Sequence, residues 1–479
     1  MSVSNHIILF EHKNIDPSTI GNVDELETIL ETVWNTLISK PTDNNFYNKI
    51  SKETEENVED EEEIGDVKKS KQRFVSLDRK SIKPNNYIGF IQHGDKVIEI
   101  YPKVFYKNGE IKPAEKNNWL QHIFFWLKHC DWLPARINQT SLDNTDIDNF
   151  PEFLIYYIAT LIEDAVSQKP FSRYEEVEEI LQSPKGRINF PAYINHGLSN
   201  GNWHQIDCVY EPFVYDNKVN QVIKYVTRVL KHKAKNTSIS KLDNIIFILD
   251  EVEDRVCTIQ EIVRIQISDL FSEYKEILYW CKMILEQQTF NNDSYNSDNF
   301  CFLLPMEKIF EGFISTMLDN YLIENYLKHL TTQNSEIKLA TTIINGNLEN
   351  VFSLKTDIEC TVEGKKYIID TKYKIRKQDS FDKDNKKKGI SQLDMYQMVS
   401  YAIRKNIKNF MLFYPDCEMQ MEEEAEFKIE DQFDKNKNVP ITISVFNLPI
   451  TDNDDVNKIQ AKLNEKFKSI FKLKTQNKK

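Results

Sequence analysis

The sequence predicts a multidomain α+β protein with a β-rich N-terminal domain, a mainly helical middle region and a C-terminal α/β domain. Three observations carry this. The chain has 479 residues, more than one ordinary core organises. Short segments near the front alternate apolar and polar residues with period two, whereas residues 117–291 mostly repeat apolar side chains at three- and four-residue spacing. The last third mixes both patterns. The expected domains are 1–115, 116–298 and 299–479.

In the first domain, His6–Phe10 reads as a strand and Asp24–Leu37 as a helix. Tyr87–Gln92 and Lys96–Tyr101 read as a hairpin turning at Gly94-Asp95. The run 52–66 is dominated by Glu and Asp and reads as a solvated loop. The middle offers helices at Trp119–Leu127, Phe153–Val166, Lys218–Lys231 and Ser268–Glu286, with a less regular interruption at 183–216. Residues 291–299, rich in Asn, Ser and Asp, read as a linker. The last domain begins with an amphipathic helix, Met306–Tyr326, burying Ile309, Phe310, Phe313, Met317 and Tyr321. Strands Asp357–Val362 and Lys366–Ile375, a helix Ser391–Lys405, strands Phe410–Tyr414 and Ile441–Phe446 and a Lys-rich helix from Lys458 follow.

Composition excludes several functions. A net charge of −13 argues against a chain that grips nucleic acid by itself, since phosphate contacts dominate such affinity. Seven scattered cysteines form no zinc or disulfide spacing, and the opening residues lack a signal-peptide pattern, so a cytoplasmic protein with no membrane segment is expected. No GxxxxGK[ST] phosphate loop occurs, so any nucleotide hydrolysis in the system belongs to another chain.

The segment Thr356–Lys372 carries the chemistry. Glu363-Gly364 fits a two-residue hairpin turn, which pairs Val362 with Lys365 and sets Asp357 opposite Asp370. Alternation then puts Lys372 on the face of Asp370, while Ile358, Cys360, Val362, Tyr367 and Ile369 form an apolar layer behind. Two facing carboxylates repel unless a cation lies between them, and Mg²⁺ is the natural resident because it prefers oxygen ligands. The Thr371 carbonyl would add another oxygen, and Lys372 would orient or activate water and offset charge on a phosphorane. Glu359 shares the face of Asp357 as a substitute ligand.

This hairpin, preceded by a helix bearing an acid and followed by a helix bearing Gln-x-x-x-Tyr, resembles the PD-(D/E)XK nuclease superfamily. The resemblance implies a restriction-endonuclease-like fold and catalytic roles for Asp357, Asp370, Lys372, Glu311, Gln397 and Tyr401, with Glu311 as a further metal ligand. Glu307 is a rival for Glu311, and helix packing is the alternative role for Gln397 and Tyr401. Thr356 stands where the superfamily usually has proline.

A broader pattern is similar to the McrC family, the nuclease subunits of McrBC-type modification-dependent restriction systems. It rests on Tyr87-Ile-Gly-Phe90, Ile98-Glu-Ile-Tyr-Pro-Lys103, Gly186-Arg-Ile188, Cys208-Val-Tyr-Glu-Pro-Phe213, Asp216-Asn-Lys-Val-Asn220, Phe310-Glu311-Gly-Phe313 and Asp394-Met-Tyr-Gln397, in that order. The similarity implies an McrB-like AAA+ GTPase ring as partner, with GTP bound by that ring. It also implies modified double-stranded DNA as substrate, an N-terminal part that engages the ring and stimulates its GTPase, and a C-terminal part that cuts. The alternatives are an adaptor that activates a ring without cutting, and a stand-alone nuclease.

Other conspicuous residues have plainer readings. His122 and His129 share a helix face, as packing residues do. Asp216 and Asn220 read as capping and structural hydrogen bonding. Gly186-Arg187 reads as a turn or as a contact to phosphate or a partner. Lys466, Lys468, Lys472 and Lys474 read as a solvated helix end or a DNA-backbone contact.

Overall fold

The computed structural model describes residues 6–16, 23–38, 74–78, 81–93, 96–106, 113–130, 147, 149–174, 176–287, 299–325, 330–334, 338–344, 347–376, 386–417, 420–421, 424–430, 440–453 and 455–471. The acidic run 52–66, the Gly94-Asp95 turn, the linker 291–298, Tyr326, Lys472 and Lys474 lie outside them. The fold is a mixture of helices and sheets, as the sequence predicts, and divides into two compact units. One unit comprises Met1–Trp34, Gly65–Ala135 and Phe302–Lys479, so most of the segment read as a first domain shares a unit with the last. The other comprises Asn35–Ile64 and Arg136–Cys301.

A four-stranded sheet, all but residues 299–301 of it in the first unit, has the order His6–Phe10, Lys96–Tyr101, Tyr87–His93, Asn299–Pro305. The first two strands are parallel, and the second and third form the expected antiparallel pair. The strand Asn299–Pro305 lies in what the sequence presents as linker and helix approach. Gly89 makes its addition possible: its φ is +133°, and a Cβ there would sit 1.9 Å from the Phe302 carbonyl oxygen. The helix Pro113–Lys128 packs on this framework through Trp119, whose ring lies 5.5 Å from Phe10 and 5.8 Å from Phe105.

The same unit contains a six-stranded sheet in the order Thr331–Asn334, Thr356–Val362, Lys365–Thr371, Asn409–Pro415, Ile441–Leu448, Ala425–Ile429. Its three central strands, beginning with Lys365–Thr371, run parallel to one another. The helix Gln392–Lys405 packs one face through Met398, Tyr401 and Ala402 against Ile368, Leu412 and Ile443. The helices Met306–Glu324 and Lys458–Phe471 meet through Tyr321 and Phe467, and Phe467 lies 6.4 Å from Phe413 of the sheet. All five apolar residues expected on the buried side of the first helix are buried. The hairpin Lys338–Ile344 with Asn347–Ser353 and the edge strand Ala425–Ile429 escape the sequence reading, although Ala425–Ile429 alternates apolar and charged residues.

The second unit is built on helices Phe150–Gln168, Lys218–Lys233, Asn236–Ile248 and Ser272–Gln287; the sequence reading places the first, second and fourth and misses Asn236–Ile248. Tyr157 and Trp280 meet at its centre, 5.4 Å apart. The irregular stretch holds a three-stranded sheet of Val177–Leu181, Ile206–Tyr210 and Arg187–Ile188. Among the described residues, no helix is long and apolar enough to cross a membrane.

Candidate active site

The site begins with the hairpin. Glu363 and Gly364 have φ of 48° and 80°, the left-handed pair that a tight two-residue turn requires. Pairing runs from Val362↔Lys365 to Ile358↔Ile369, and the next step outward faces Asp357 with Asp370. The alternation Thr356, Ile358, Cys360, Val362 is buried on one face and Asp357 and Glu359 lie on the other. The second strand ends at Thr371 rather than at the expected Ile375. Beyond the last ladder bond, Lys372 N–H to the Phe413 carbonyl at 2.8 Å, the chain turns tightly, with Lys374 N–H donating to the Lys372 carbonyl at 2.7 Å.

Asp357 is tied to this strand end: its Oδ2 accepts from the Thr371 N–H at 2.7 Å and from the Thr371 hydroxyl at 2.9 Å. Asp370 sits on a central strand and is only 1% exposed. Its Oδ2 lies 2.7 Å from Lys372 Nζ, while Oδ1 meets no hydrogen-bond donor among the described residues. Lys372 Nζ also donates to Gln397 Oε1 at 2.9 Å. Gln397 Nε2 donates to the Tyr401 hydroxyl at 2.8 Å, which donates to the Lys355 carbonyl at 2.6 Å. Gln397 and Tyr401 are one helical turn apart and face the sheet together. A chain of polar contacts thus runs from Asp370 through Lys372 and the helix to Lys355, just before the strand that bears Asp357.

Two further residues join the cluster that the sequence reading did not assign to it. Asp394 is buried, with its Oδ1 3.8 Å from Lys372 Nζ and 3.1 Å from Lys374 Nζ, and Oδ2 accepts from the Tyr414 hydroxyl at 3.4 Å. The signal was available: Asp394 precedes Gln397 by three helical positions and Lys374 follows Lys372 by one strand period. The Ser391 hydroxyl caps the helix by accepting from Asp394 N–H at 3.1 Å, which fixes where Asp394 emerges.

Glu311 is not gathered in the same way. Its Oε2 lies 3.7 Å from Lys308 Nζ, and among the described residues no three His, Cys, Asp or Glu side chains stand close enough to hold a metal. Glu307 accepts from Asn86 Nδ2 at 2.9 Å. Glu359 pairs with Lys405, a buried cation on the packed helix. It is thereby engaged away from Asp370.

The electrostatics follow from burial. Loss of water, reinforced by Asp357 opposite and opposed by Lys372, pushes the Asp370 carboxyl up to about 7. Burial pulls on the Lys372 ammonium, but Asp370 and Asp357 outweigh it and hold its pKa above the ordinary lysine value. Burial, with Asp370 nearby, likewise raises the Tyr401 phenol. The donor set fits a hard dication: two opposed carboxylates, one with a buried oxygen lacking a donor, beside the end of a strand.

The other conspicuous residues make contacts within the chain. Asp216 Oδ1 accepts from Gln221 Nε2 and Glu253 N–H, and Asn220 Nδ2 donates to the carbonyls of Phe171 and Tyr215. The helix cap itself is Asn217. His122 is hydrogen-bonded by Asn118 and Asp452, and His129 by Phe125. Gly186 has φ +68°, and a Cβ there would fall 2.5 Å from the Val209 carbonyl oxygen. Lys466 is paired with Glu424.

Residues 82–415 match the family described as McrBC 5-methylcytosine restriction system component. The chain belongs to that family. As an McrBC component, it has the fold of a chain in a solved structure described as a refined half-complex from a tetradecameric assembly of Thermococcus gammatolerans McrB AAA+ hexamers with bound McrC. The TM-score is 0.67 at 15% identity, covering 97% of this chain and all of that one. A chain of the cryo-EM structure of the Thermococcus gammatolerans McrBC complex aligns with TM-score 0.47 and 18% identity, over 66% of this chain and 88% of that one. A search of curated proteins finds no match for this McrBC component.

Proposed function

We propose that this McrBC component is the DNA-cutting subunit of its restriction complex, a Mg²⁺-dependent endodeoxyribonuclease of the PD-(D/E)XK type. Its partner is an McrB-like AAA+ ring, which binds GTP, and its substrate is modified double-stranded DNA. The observation that carries this reading is the buried Asp370, facing Asp357 across a hairpin with one oxygen lacking a donor and the other 2.7 Å from Lys372.

Asp357 and Asp370, with the Thr371 carbonyl, would hold the Mg²⁺. Bound there, the ion would supply charge neutralisation for the scissile phosphate and acidify the attacking water. Lys372, held cationic by the two carboxylates, lies where it can orient that water and stabilise charge growing on phosphate oxygens. Gln397 keeps the ammonium from collapsing wholly onto Asp370, and Tyr401 fixes Gln397 in turn. A net charge of −13 suits a subunit that receives DNA held by others. Exposed Trp203, Phe190, Ile194 and Phe213 in the second unit give it apolar surface of the kind partners cover.

The decisive experiment is Asp370→Asn in the complete complex. DNA cleavage should fall by at least about a thousandfold, as loss of a main electrostatic group does. Ring binding and GTPase stimulation should stay intact. Unimpaired cleavage would refute the assignment, and equal loss of all three activities would mark Asp370 as a folding residue.

A further inference from the structure

Behind the site lies a buried polar cluster that the proposed chemistry does not use. Lys103 follows the strand Lys96–Tyr101, opens a short 3-10 turn and is 5% exposed. Its Nζ donates to the Tyr373 carbonyl at 2.6 Å and stands 4.1 Å from the centroid of the Tyr373 ring. Phe310 packs that ring at 5.7 Å. Glu11 is fully buried beside Lys103, and its Oε2 accepts from the Lys103 N–H at 3.2 Å. All four residues belong to one compact unit.

Burying a lysine and a glutamate is expensive, and a methionine and a glutamine would fill much the same space. What the buried lysine adds, with its own amide held by Glu11, is a directional grip on one carbonyl. That carbonyl belongs to the residue directly after Lys372, at the centre of the tight turn closed by Lys374 N–H and the Lys372 carbonyl. Tyr373 points towards Lys103 and Phe310, while Lys372 and Lys374 reach Asp370, Gln397 and Asp394. Fixing the Tyr373 peptide therefore fixes the direction in which both lysines leave the strand end.

We infer that Lys103, supported by Glu11, is a positioning residue that clamps the Tyr373 carbonyl and so aims Lys372 at the reacting phosphate. This rests on the nuclease reading of the same site. A clamp from the N-terminal strands means that correct placement of Lys372 requires those strands to be docked. Their displacement would disarm the site without touching any residue in it.

The test pairs two readouts on the full chain. Hydrogen exchange of the Lys372 and Lys374 amides reports the clamp, and single-turnover cleavage in the complete GTP- and Mg²⁺-supplied complex reports the chemistry. In Glu11→Gln/Lys103→Met, which leaves no buried charge unpaired, both amides should exchange at least tenfold faster. The cleavage rate should fall at least tenfold, with DNA affinity within twofold of wild type. Lys103→Arg, which keeps a cationic donor, should restore both and decides the matter if the double variant does not fold. Cleavage must track amide exchange across these proteins. A folded double variant that leaves both unchanged, or any variant that alters one without the other, overturns the inference. A wild-type complex that never cuts refutes the nuclease reading and the inference with it, whereas a cutting wild type beside an indifferent double variant refutes the inference alone.

Discussion

Asp370 links stability to pH and, in the proposed role, to cation binding as well. Its folded-state pKa of about 7 lies above the ordinary carboxylate value because burial and Asp357 penalise the charge. Folded chains therefore hold this proton more tightly than unfolded ones. The stability it contributes is present below about pH 4 and is lost as pH rises through 7. Asp370→Asn should flatten that part of the melting-temperature profile of the metal-free protein, leaving the similar contribution of buried Glu11, also raised to about 7 by burial. Divalent-ion affinity should have the opposite sign, rising about tenfold per pH unit below 7 and levelling above it, as titration calorimetry with Mn²⁺ would show. An affinity independent of pH would place the ion elsewhere. Tyr401→Phe removes the donor to the Lys355 carbonyl and the acceptor for Gln397, which should cost about 1–3 kcal/mol in denaturant unfolding. It should also slow cleavage by loosening Lys372.

At the scale of elements, the turn and register of the hairpin were legible because everything that sets them is local, whereas the end of its second strand at Thr371 was not. Glu363-Gly364 supplies the turn and the period-two alternation supplies the faces, so register and the Asp357–Asp370 opposition followed without tertiary information. The helix bearing Gln397 and Tyr401 was legible for the same reason, with Ser391 as its cap. Strand Asn299–Pro305 was not, because its partner is Tyr87–His93, about two hundred positions earlier, and its environment is set by that pairing. Gly89 is the point at which this pairing can be tested. Gly89→Ala meets both an unfavourable φ and the Phe302 carbonyl, so a loss of about 3 kcal/mol or more is expected in equilibrium unfolding. Wild-type stability in that variant would show that the strand is not seated there.

At the scale of the whole molecule, residues 302–479 share one compact unit with 1–34 and 65–135. Trp126 Nε1 donates to the Ile450 carbonyl at 2.8 Å, His122 accepts from Asp452 N–H, and Lys103 reaches Tyr373. A fragment of residues 302–479 expressed alone should therefore expose apolar surface, bind hydrophobic dyes and melt well below the full chain. Cooperative unfolding of that fragment at the temperature of the intact protein would contradict the single-unit packing. Sequence alone determined the mixed α+β class, the hairpin register, the family pattern and most helices, because turn residues, caps and apolar periods act over a few positions. Only the tertiary structure decided that the N-terminal strands share a unit with the Asp370 site, that Asp394 and Lys374 join it, and that Glu311 with Asp357 and Asp370 forms no three-acid cluster. Those outcomes depend on which distant surfaces bury one another, and no local period records the partner across the interface.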